Sequence, residues 1–146
     1  MVQRVSSARV LVESEIVAEM GHGLLALVGV ARGDGVAQAD ELARKLVQMR
    51  IFPDATGRMN RSLLETGGTL GVVSQFTLLA DTSKGRRPGF SEAADPEQAR
   101  PLIERVIAGA RDQGVAVVSG RFRSEMSVQL VNEGPVTLLV EVSRSG

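Results

Sequence analysis

The stretch LVNEGPVTLLVE, residues 130–141, sets two apolar runs on either side of the tetrapeptide Asn-Glu-Gly-Pro. Short runs of valine, leucine and threonine are typical of strands, and Gly-Pro is typical of a turn. The pattern therefore predicts strands over residues 126–131 and 136–142, joined by a turn at residues 132–135. A trans proline is the commoner form, but a Gly-Pro bond becomes cis at a cost of roughly 0.5–1 kcal/mol and then aims the glycine carbonyl in an unusual direction. The residues alone leave both forms open.

The same patterns extend along the rest of the chain. Further strands are predicted over residues 2–12, 16–20, 24–30, 69–79 and 115–119, and an amphipathic helix over residues 36–50. A second helix is predicted from Pro96, with Asp95 as its N-cap, to Gly114. Pro101 removes a hydrogen bond inside this helix, so either its first turn is irregular or its regular part begins nearer Pro101.

The order of these elements indicates the fold class. Three strands precede the first helix and three follow the second, mostly through short connections, which is typical of antiparallel pairing. We therefore predict an α+β fold with one domain over residues 1–146, built from a curved or barrel-like, largely antiparallel sheet and two main helices.

The composition excludes several kinds of chemistry. The absence of cysteine excludes disulfides, thiolate metal sites and a cysteine nucleophile, and a single histidine, His22, excludes a histidine-rich metal site. The 17 basic and 17 acidic residues balance, so any contact with nucleic acid is expected to use a local patch. No apolar run approaches the ~20 residues of a membrane span, and no signal peptide pattern precedes the first strand, so a cytoplasmic protein is expected.

The segment SQFTLLA, residues 74–80, is the first candidate site. Ser74, Gln75 and Thr77 are polar residues at the end of an apolar strand that leads into a long loop, and loops at strand ends often carry functional side chains. The alternative is that these groups only satisfy hydrogen bonds at a strand terminus.

The loop KGRRPGF, residues 84–90, is the second candidate. Lys84, Arg86 and Arg87 suit phosphate, and Phe90 suits a nucleobase. The alternative is a solvated loop with Phe90 packed in the core. His22 lies between two glycines, where a lone histidine is more often simply exposed than functional.

No pair of nucleophile and base is evident in the sequence. Ser74 and Thr77 have no histidine, lysine or aspartate near them in the chain, and neither a glycine-rich nucleotide motif nor a paired-carboxylate signature is present. An enzyme with this sequence is therefore expected to use few catalytic side chains.

The segments VVSQFTLLADTSKGRRPGF and LVNEGPVTLLVE together closely resemble the D-aminoacyl-tRNA deacylases, and VQRVSSARVLV and MRIFPDATGRMNRSLL fit as well. The resemblance covers essentially the whole chain. It implies hydrolysis of the ester that joins a D-amino acid to the 3′-terminal adenosine of tRNA, and removal of glycine mischarged onto alanine tRNA. It also implies a homodimer with sites at the subunit interface, no metal or organic cofactor, and neither DNA nor a membrane as partner.

The resemblance also implies roles for particular residues. The first family motif is carried by Ser74, Gln75, Phe76 and Thr77. The second, the Gly-cisPro motif carried by Gly134 and Pro135, enters the partner subunit's pocket in the family. A rigid carbonyl at this point excludes an L side chain by steric clash whatever its size, and it lets glycine pass. Contact with tRNA is expected from Phe90, on the terminal adenine, and from three basic residues, Lys84, Arg86 and Arg87.

The substrate itself carries a group that can take the place of the missing catalytic base. The ribose 2′-hydroxyl lies beside the ester and can assist the attacking water, while backbone N–H groups near Gln75 and Phe76 hold the developing oxyanion. Thr77 is a candidate nucleophile, but an unassisted threonine is a weak one, so we expect it to position the substrate. The chain departs from the family in a shorter N terminus and in Gly89, where serine is common. Two alternatives stay open, a non-catalytic dimer that binds tRNA or a nucleotide and a structural dimer scaffold.

Overall fold

The computed structural model describes residues 1–143 of the chain. The strands of the fold are β1 Val2–Val12, β2 Glu15–Met20, β3 Gly23–Val28, β4 Phe52–Pro53, β5 Met59–Arg61, β6 Thr69–Ser74, β7 Ala116–Ser119 and β8 Ser127–Leu138. The helices are α1 Val36–Gln48, the single-turn α2 Leu63–Thr66 and α3 Pro96–Asp112, and a 3-10 turn spans Phe76–Leu79.

Strand β1 organises the sheet because it has partners along both of its edges. One edge pairs with β3 near the start of β1 and with β2 near its end, and the other edge pairs with β8, all antiparallel. Strands β3, β6 and β7 continue the sheet in parallel. The α+β class, the barrel-like sheet and the two main helices are confirmed, and the sheet is mixed because the connections through α1 and α3 bring strands back in the same direction.

The apolar core lies on both faces of the sheet. On one face, Leu24 and Leu70 pack with Leu46 of α1 and Val106 of α3. On the other face, strands β1, β2, β3 and β6 curl around a second cluster, formed by Val5, Ala8, Val10, Met20, Leu25 and Val73. Alternate residues of β3 therefore point into opposite clusters, which explains why this strand is a continuous apolar run.

Helix α3 resolves the conflict that Pro101 raises. The helix begins at Pro96 with Asp95 as its N-cap, and Pro101 lies inside it. The N–H groups of Gln98 and Ala99 both donate to the Asp95 carbonyl, at 3.0 and 2.9 Å. The first turn thus mixes 3-10 and α hydrogen bonding, and the helix accommodates Pro101 after this irregular start.

The predicted turn at residues 132–135 is wrong. Asn132 pairs with Val5 and Thr137 pairs with Gln3, so β8 continues past the Gly-Pro step and only Arg4 lies opposite the residues between them. The segment is therefore a bulge within one strand, because β1 extends on both sides of it and supplies partners before and after. We call residues 133–136 the Gly-Pro bulge.

Three predicted strands are too long at their ends. The strand predicted over 69–79 ends at Ser74, the strand over 24–30 ends at Val28, and the strand over 136–142 ends at Leu138. Ser74 pairs with Val28 and Leu138 pairs with Val2, so each strand stops where its neighbour stops. Hydrophobic pattern alone does not mark such an end, since apolar residues continue into the 3-10 turn and the C-terminal segment.

The turn-rich segment predicted after α1 folds into the short hairpin β4–β5, which the predicted order of elements lacked. The Asp54 carboxylate accepts hydrogen bonds from the N–H and hydroxyl of Thr56, at 2.8 and 2.7 Å, and from the N–H of Arg58 at 3.1 Å. Across residues 1–143, no helix is both long enough and apolar enough to cross a membrane.

Candidate functional site

The carboxyl ends of the parallel strands define one edge of the sheet, which is where α/β sheets usually bind ligands. Ser74 ends β6 beside Val28 at this edge. The 3-10 turn and the loop over residues 80–94 follow Ser74 directly, and the loop over residues 120–126 leaves β7 at the same edge. The two candidate segments predicted from the sequence therefore lie side by side.

The 3-10 turn is anchored by its backbone. The Gln75 N–H donates to the Val28 carbonyl at 2.8 Å, and the Ala80 N–H closes the turn on the Thr77 carbonyl at 3.2 Å. Phe76 is 57% exposed and Thr77 is also exposed. The turn thus presents its first two side chains to solvent at the edge of the sheet.

Gly29 allows the turn to pack this closely. A Cβ atom at Gly29 would lie 2.4 Å from Cδ2 of Leu79, 3.1 Å from the Gln75 carbonyl oxygen and 3.2 Å from Cβ of Leu78. The turn therefore rests on the backbone of Gly29, a contact that the sequence pattern did not reveal.

The hydroxyl of Thr77 accepts a hydrogen bond from Nε2 of Gln75. An amide cannot take a proton from a hydroxyl, and the hydrogen bonds of residues 1–143 include none from Thr77 to a carboxylate, imidazole or amine. The Gln75 N–H is engaged by Val28, so it does not hold an oxyanion as expected from the sequence. Phe76 and Thr77 have N–H groups at the start of the turn without an acceptor in the described residues.

The loop over residues 80–94 folds back on itself through Asp81 and Gly89, which exchange two backbone hydrogen bonds of 2.7 and 2.9 Å. Hydrogen bonds from the hydroxyl and the N–H of Ser83 lower the pKa of the Asp81 carboxyl below its ordinary value. At the end of the loop, the Phe90 ring meets the Phe76 ring edge to face, with centroids 5.0 Å apart. Phe90 is therefore not packed in the core but joins the loop to the 3-10 turn.

The cations of this loop are exposed. Lys84, Arg86 and Arg87 project from the loop, and none of them forms an ion pair within the part of the chain that is described. These three cations thus belong to the loop that the contact between Phe76 and Phe90 joins to the 3-10 turn.

The Gly-Pro bulge is held by two side chains, those of Arg4 and Asn132. Arg4 donates from Nε to the Glu133 carbonyl at 3.1 Å and from Nη1 to the Ile51 carbonyl at 2.7 Å. The Asn132 amide accepts from the Val136 N–H at 2.9 Å and donates to the Thr137 hydroxyl at 2.7 Å. The bond between the glycine and proline of the bulge is cis. The backbone is thus fixed on both sides of Gly134.

His22 lies beside the bulge rather than at the sheet edge that carries Thr77. Its Nε2 atom is 3.4 Å from Oε2 of Glu133, and both side chains are largely exposed. Exposed ion pairs contribute little to stability, about 0–1 kcal/mol, so Arg4 is the main support of the bulge.

One chain does not bring the bulge and the 3-10 turn together. Arg4 pairs with Leu24, and Leu24 pairs with Leu70, so the bulge opposite Arg4 lies level with Leu70. Ser74 lies four residues beyond Leu70 along β6, a distance of about 13 Å, and three strand spacings add about 14 Å across the sheet. The two candidate motifs are therefore in separate places on one subunit.

The outer edge of β8 has no strand partner among the described residues. Val131 is 56% exposed and Leu139, just beyond β8, is 68% exposed. An unpaired strand edge with exposed apolar residues is a surface on which a second chain can pair.

A cavity of about 280 Å³ lies behind the 3-10 turn, between the sheet and helices α1 and α3. Its lining is mainly aliphatic and includes Leu78 and Leu79 but neither Phe76 nor Thr77. The polar groups of the candidate site thus lie outside this cavity.

The structure adds residues that the sequence reasoning missed. The loop over residues 120–126 is held at the site edge by the Gly120 N–H, which donates to the Val72 carbonyl at 2.9 Å. The guanidinium carbon of Arg100 lies 5.4 Å from the centre of the Phe122 ring. The run GRFR, residues 120–123, places an aromatic residue between two arginines, and this pattern was the signal in the sequence that could have drawn attention to the loop. Within residues 1–143, no three acidic or histidine side chains come together as a metal site requires.

Gly29→Ala is expected to lower kcat about 100-fold because the new methyl group displaces the 3-10 turn, and a shift of about 1 Å in a site costs on that order. Overpacking of this kind also costs about 1–3 kcal/mol of stability, so urea unfolding is measured alongside the rate. Gly21→Ala is the matched control, since no atom lies within 4 Å of the position that its methyl group would take. An active, fully folded Gly29→Ala protein would contradict the role of this contact.

Comparison with known proteins identifies the family. The family model for D-Tyr-tRNA(Tyr) deacylase matches residues 1–141. A D-aminoacyl-tRNA deacylase of Symbiobacterium thermophilum is 50% identical over 99% of this chain and 96% of its own length. A D-aminoacyl-tRNA deacylase of Roseiflexus sp. is 55% identical over 97% of this chain and 91% of its own length.

Solved structures share the whole fold. The c-Myc DNA unwinding element binding protein superposes with a TM-score of 0.92 at 31% identity and covers 98% of this chain and 97% of its own. A probable eukaryotic D-amino acid tRNA deacylase superposes with a TM-score of 0.77 at 18% identity, over 92% of this chain and 93% of its own, which bears on the fold alone.

These matches define an enzyme of the hydrolase class. The chain belongs to the D-Tyr-tRNA(Tyr) deacylase family, and the resemblance found in its sequence is confirmed.

Proposed function

We propose that this enzyme hydrolyses the ester of D-aminoacyl-tRNA and releases the free D-amino acid and tRNA. The observation that carries the proposal is the family match over residues 1–141, combined with an exposed turn of Gln75, Phe76 and Thr77 that has the family's motif. The same chemistry extends to glycine mischarged onto alanine tRNA, because glycine has no side chain for a stereochemical filter to reject.

The reaction needs little from the protein beyond positioning. The oxygen of water bonds to the ester carbonyl carbon, the bond from that carbon to the ribose 3′ oxygen breaks, and the proton from water passes to the 3′ oxygen. The adjacent 2′-hydroxyl can relay this proton. The N–H groups of Phe76 and Thr77 are free to stabilise the oxyanion, and the Gln75 amide orients the Thr77 hydroxyl toward the substrate. Thr77 has no base to activate it, which favours a positioning role.

Chiral selection is assigned to Gly134 and Pro135. D and L amino acids differ only in the placement of groups about one carbon, so a filter that ignores side-chain identity must act close to that carbon. The bulge suits this task because Arg4 and Asn132 fix the backbone on both sides of Gly134. A fixed carbonyl rejects the L side chain by steric clash.

The functional unit that this chemistry requires is a homodimer. On one subunit two strands, β1 and β3, lie between the strand of the bulge and the strand that leads to Thr77, so the two elements meet only if the bulge of one subunit enters the site of the other. The unpaired edge of β8 and the exposed Val131 and Leu139 supply a surface for such a partner.

Binding of the 3′ end of tRNA is assigned to the loop over residues 80–94, here called the basic loop. Phe90 packs edge to face on Phe76 and stays partly exposed, so we assign its ring to the terminal adenine, and Lys84, Arg86 and Arg87 suit the phosphates beside it. Aminoacyl-tRNA is made and consumed where translation occurs, so the cytoplasm is the compartment that this substrate requires. The competing function, a non-catalytic module that binds tRNA, would use the same loop.

Release of amino acid from matched substrates tests the proposal. The enzyme is expected to liberate the amino acid from tRNA charged with D-tyrosine and to leave the L-tyrosine ester at its spontaneous rate. Gly29→Ala, purified in the same way, controls for a contaminating hydrolase. Binding of tRNA without release of D-tyrosine would refute the enzymatic function and favour the non-catalytic module.

A further inference from the structure

The β4–β5 hairpin carries a cluster of exposed cations that the proposed reaction does not use. Arg50, Arg58 and Arg61, here called the hairpin arginines, are exposed, and none of them takes part in an ion pair in the described residues. The local excess of positive charge stands out in a chain whose net charge is zero. An exposed cluster of arginines without acidic partners suits a polyanion.

The hairpin arginines lie within one short segment of the chain, residues 50–61. Nη1 of Arg50 donates to Oδ1 of Asn60 at 3.4 Å. Arg58 immediately precedes β5, two residues before Asn60. Arg61 pairs with Phe52 on the neighbouring strand and donates from Nη2 to the Glu65 carbonyl at 3.0 Å. Arg50 and Arg58 are thus the two members with the most freedom to take an external ligand.

Two carboxylates lie near the hairpin arginines, and both are already engaged. The Asp54 carboxylate accepts from the N–H and hydroxyl of Thr56 and from the N–H of Arg58. Oε1 of Glu65 accepts from the Ser62 N–H at 3.0 Å, and hydrogen bonds from Ser62 hold the pKa of Glu65 below its ordinary value, with Arg50 and Arg61 adding to the effect. Glu65 therefore stays charged but is tied to the start of α2. Three arginines against the two carboxylates Asp54 and Glu65 still leave this region with a net positive charge.

The hairpin is connected to the Gly-Pro bulge through Arg4. A single guanidinium group donates to the carbonyls of Ile51 and Glu133, and Ile51 immediately precedes β4. The hairpin arginines and the bulge are therefore on the same part of the subunit. A chain that extends from a site completed by the bulge is therefore within reach of the hairpin.

We propose that the hairpin arginines bind the phosphate backbone of the substrate RNA at the nucleotides that precede the terminal adenosine. This inference rests on the proposed function, in which the bulge meets the aminoacylated 3′ end. Arginine suits the role because its planar fork donates two hydrogen bonds to a phosphate. The hairpin of one subunit and the basic loop of the other thus contact the RNA from two sides, and the contact is independent of base sequence.

The variant Arg50→Ala/Arg58→Ala tests this surface, because it leaves intact the Arg61 contact that supports α2. Arg44→Ala/Lys45→Ala, on the exposed side of α1, removes the same charge and serves as the control. Affinity for uncharged tRNA is measured as a function of salt. Hydrolysis is measured on intact D-tyrosyl-tRNA and on D-tyrosyl-adenosine, which lacks the preceding nucleotides.

The hairpin variant is expected to bind tRNA about tenfold more weakly at 0.1 M salt, and its plot of log affinity against log salt should be shallower by about 1.4. The hairpin variant should hydrolyse D-tyrosyl-adenosine at the wild-type rate. The α1 control should match the wild type in both tRNA binding and hydrolysis. Arg50→Lys/Arg58→Lys should keep the salt dependence, because the charges remain.

Equal affinity and equal salt dependence in the hairpin variant and the wild type would overturn the proposal. So would an equal loss of activity on the two substrates, which would mean that the hairpin only supports the fold. If the wild type releases no D-tyrosine while the hairpin variant still loses tRNA affinity, the enzymatic proposal fails and the RNA surface stands.

Discussion

Substrate that ends in 2′-deoxyadenosine is expected to be hydrolysed about 10³-fold more slowly than the ribose form, whereas Thr77→Ala is expected to stay within about tenfold of the wild type. A positioned proton relay contributes on the order of 10²–10⁴-fold, and in the proposed mechanism the 2′-hydroxyl is the relay. Thr77 receives a hydrogen bond from the Gln75 amide and has no base, so its loss removes a positioning contact only. Single-turnover rates of the wild type on D-tyrosyl-tRNA with each 3′ end give the first number, and the rate of Thr77→Ala on the ribose form gives the second.

Two further variants separate the possible roles of Thr77. Thr77→Ser keeps the hydroxyl and should match the wild type, and Thr77→Val keeps the shape and should match Thr77→Ala. Loss of a true nucleophile costs about 10⁶-fold. If Thr77→Ala folds and binds tRNA but shows a loss of that size, Thr77 is the nucleophile and the 2′-hydroxyl has a secondary role.

Gly134→Ala is expected to lower D-tyrosyl-tRNA hydrolysis at least about 100-fold and to reduce the preference for D over L. Gly134 has a φ of +131°, and an added Cβ would lie 2.9 Å from Cγ2 of Val136 and 3.0 Å from Nη2 of Arg4. The bulge must therefore shift away from Arg4, at a cost of about 1–3 kcal/mol. Rates on both stereoisomers, with urea unfolding as a measure of stability, check the prediction. A folded variant with undiminished selectivity would mean that chirality is read elsewhere.

Mixing two weakened proteins shows whether the bulge acts across the interface. Gly29→Ala impairs the 3-10 turn and Gly134→Ala impairs the bulge. A dimer that contains one copy of each has one site in which both elements are intact, provided that the bulge serves the partner. An equal mixture, once exchanged, should recover about a quarter of the wild-type rate. No recovery after verified exchange would mean that each bulge serves its own subunit.

The two halves of the candidate site were predictable because their signals are local. Polar residues close an apolar run at Ser74, and cations surround Phe90 in a loop rich in glycine and proline. Their juxtaposition through the Phe76 and Phe90 rings depends on the 3-10 turn, where the pattern predicted a longer strand. Hydrophobic runs do not distinguish a strand from an apolar turn that packs on a glycine such as Gly29.

The bulge shows where local signals fail. Gly-Pro between apolar runs is equally compatible with a turn and with a bulge, and the difference is whether one partner strand lies opposite both runs. Strand β1 is long enough to do so, but it is more than a hundred residues away in sequence. Arg4 was missed for the same reason, because its two acceptors are 47 and 129 residues distant and nothing near it in the chain indicates either.

The pairing of β1 with β8 also has a consequence during synthesis. About 115 residues separate the end of β1 from the start of β8, which at ~5–20 residues per second takes the ribosome roughly 6–25 s. Throughout that time the nascent chain exposes one whole edge of its first strand, on which another unpaired strand can pair. Arg4 receives its second acceptor only when Glu133 has emerged. The element assigned to distinguish mirror images is therefore the last part of the enzyme to form.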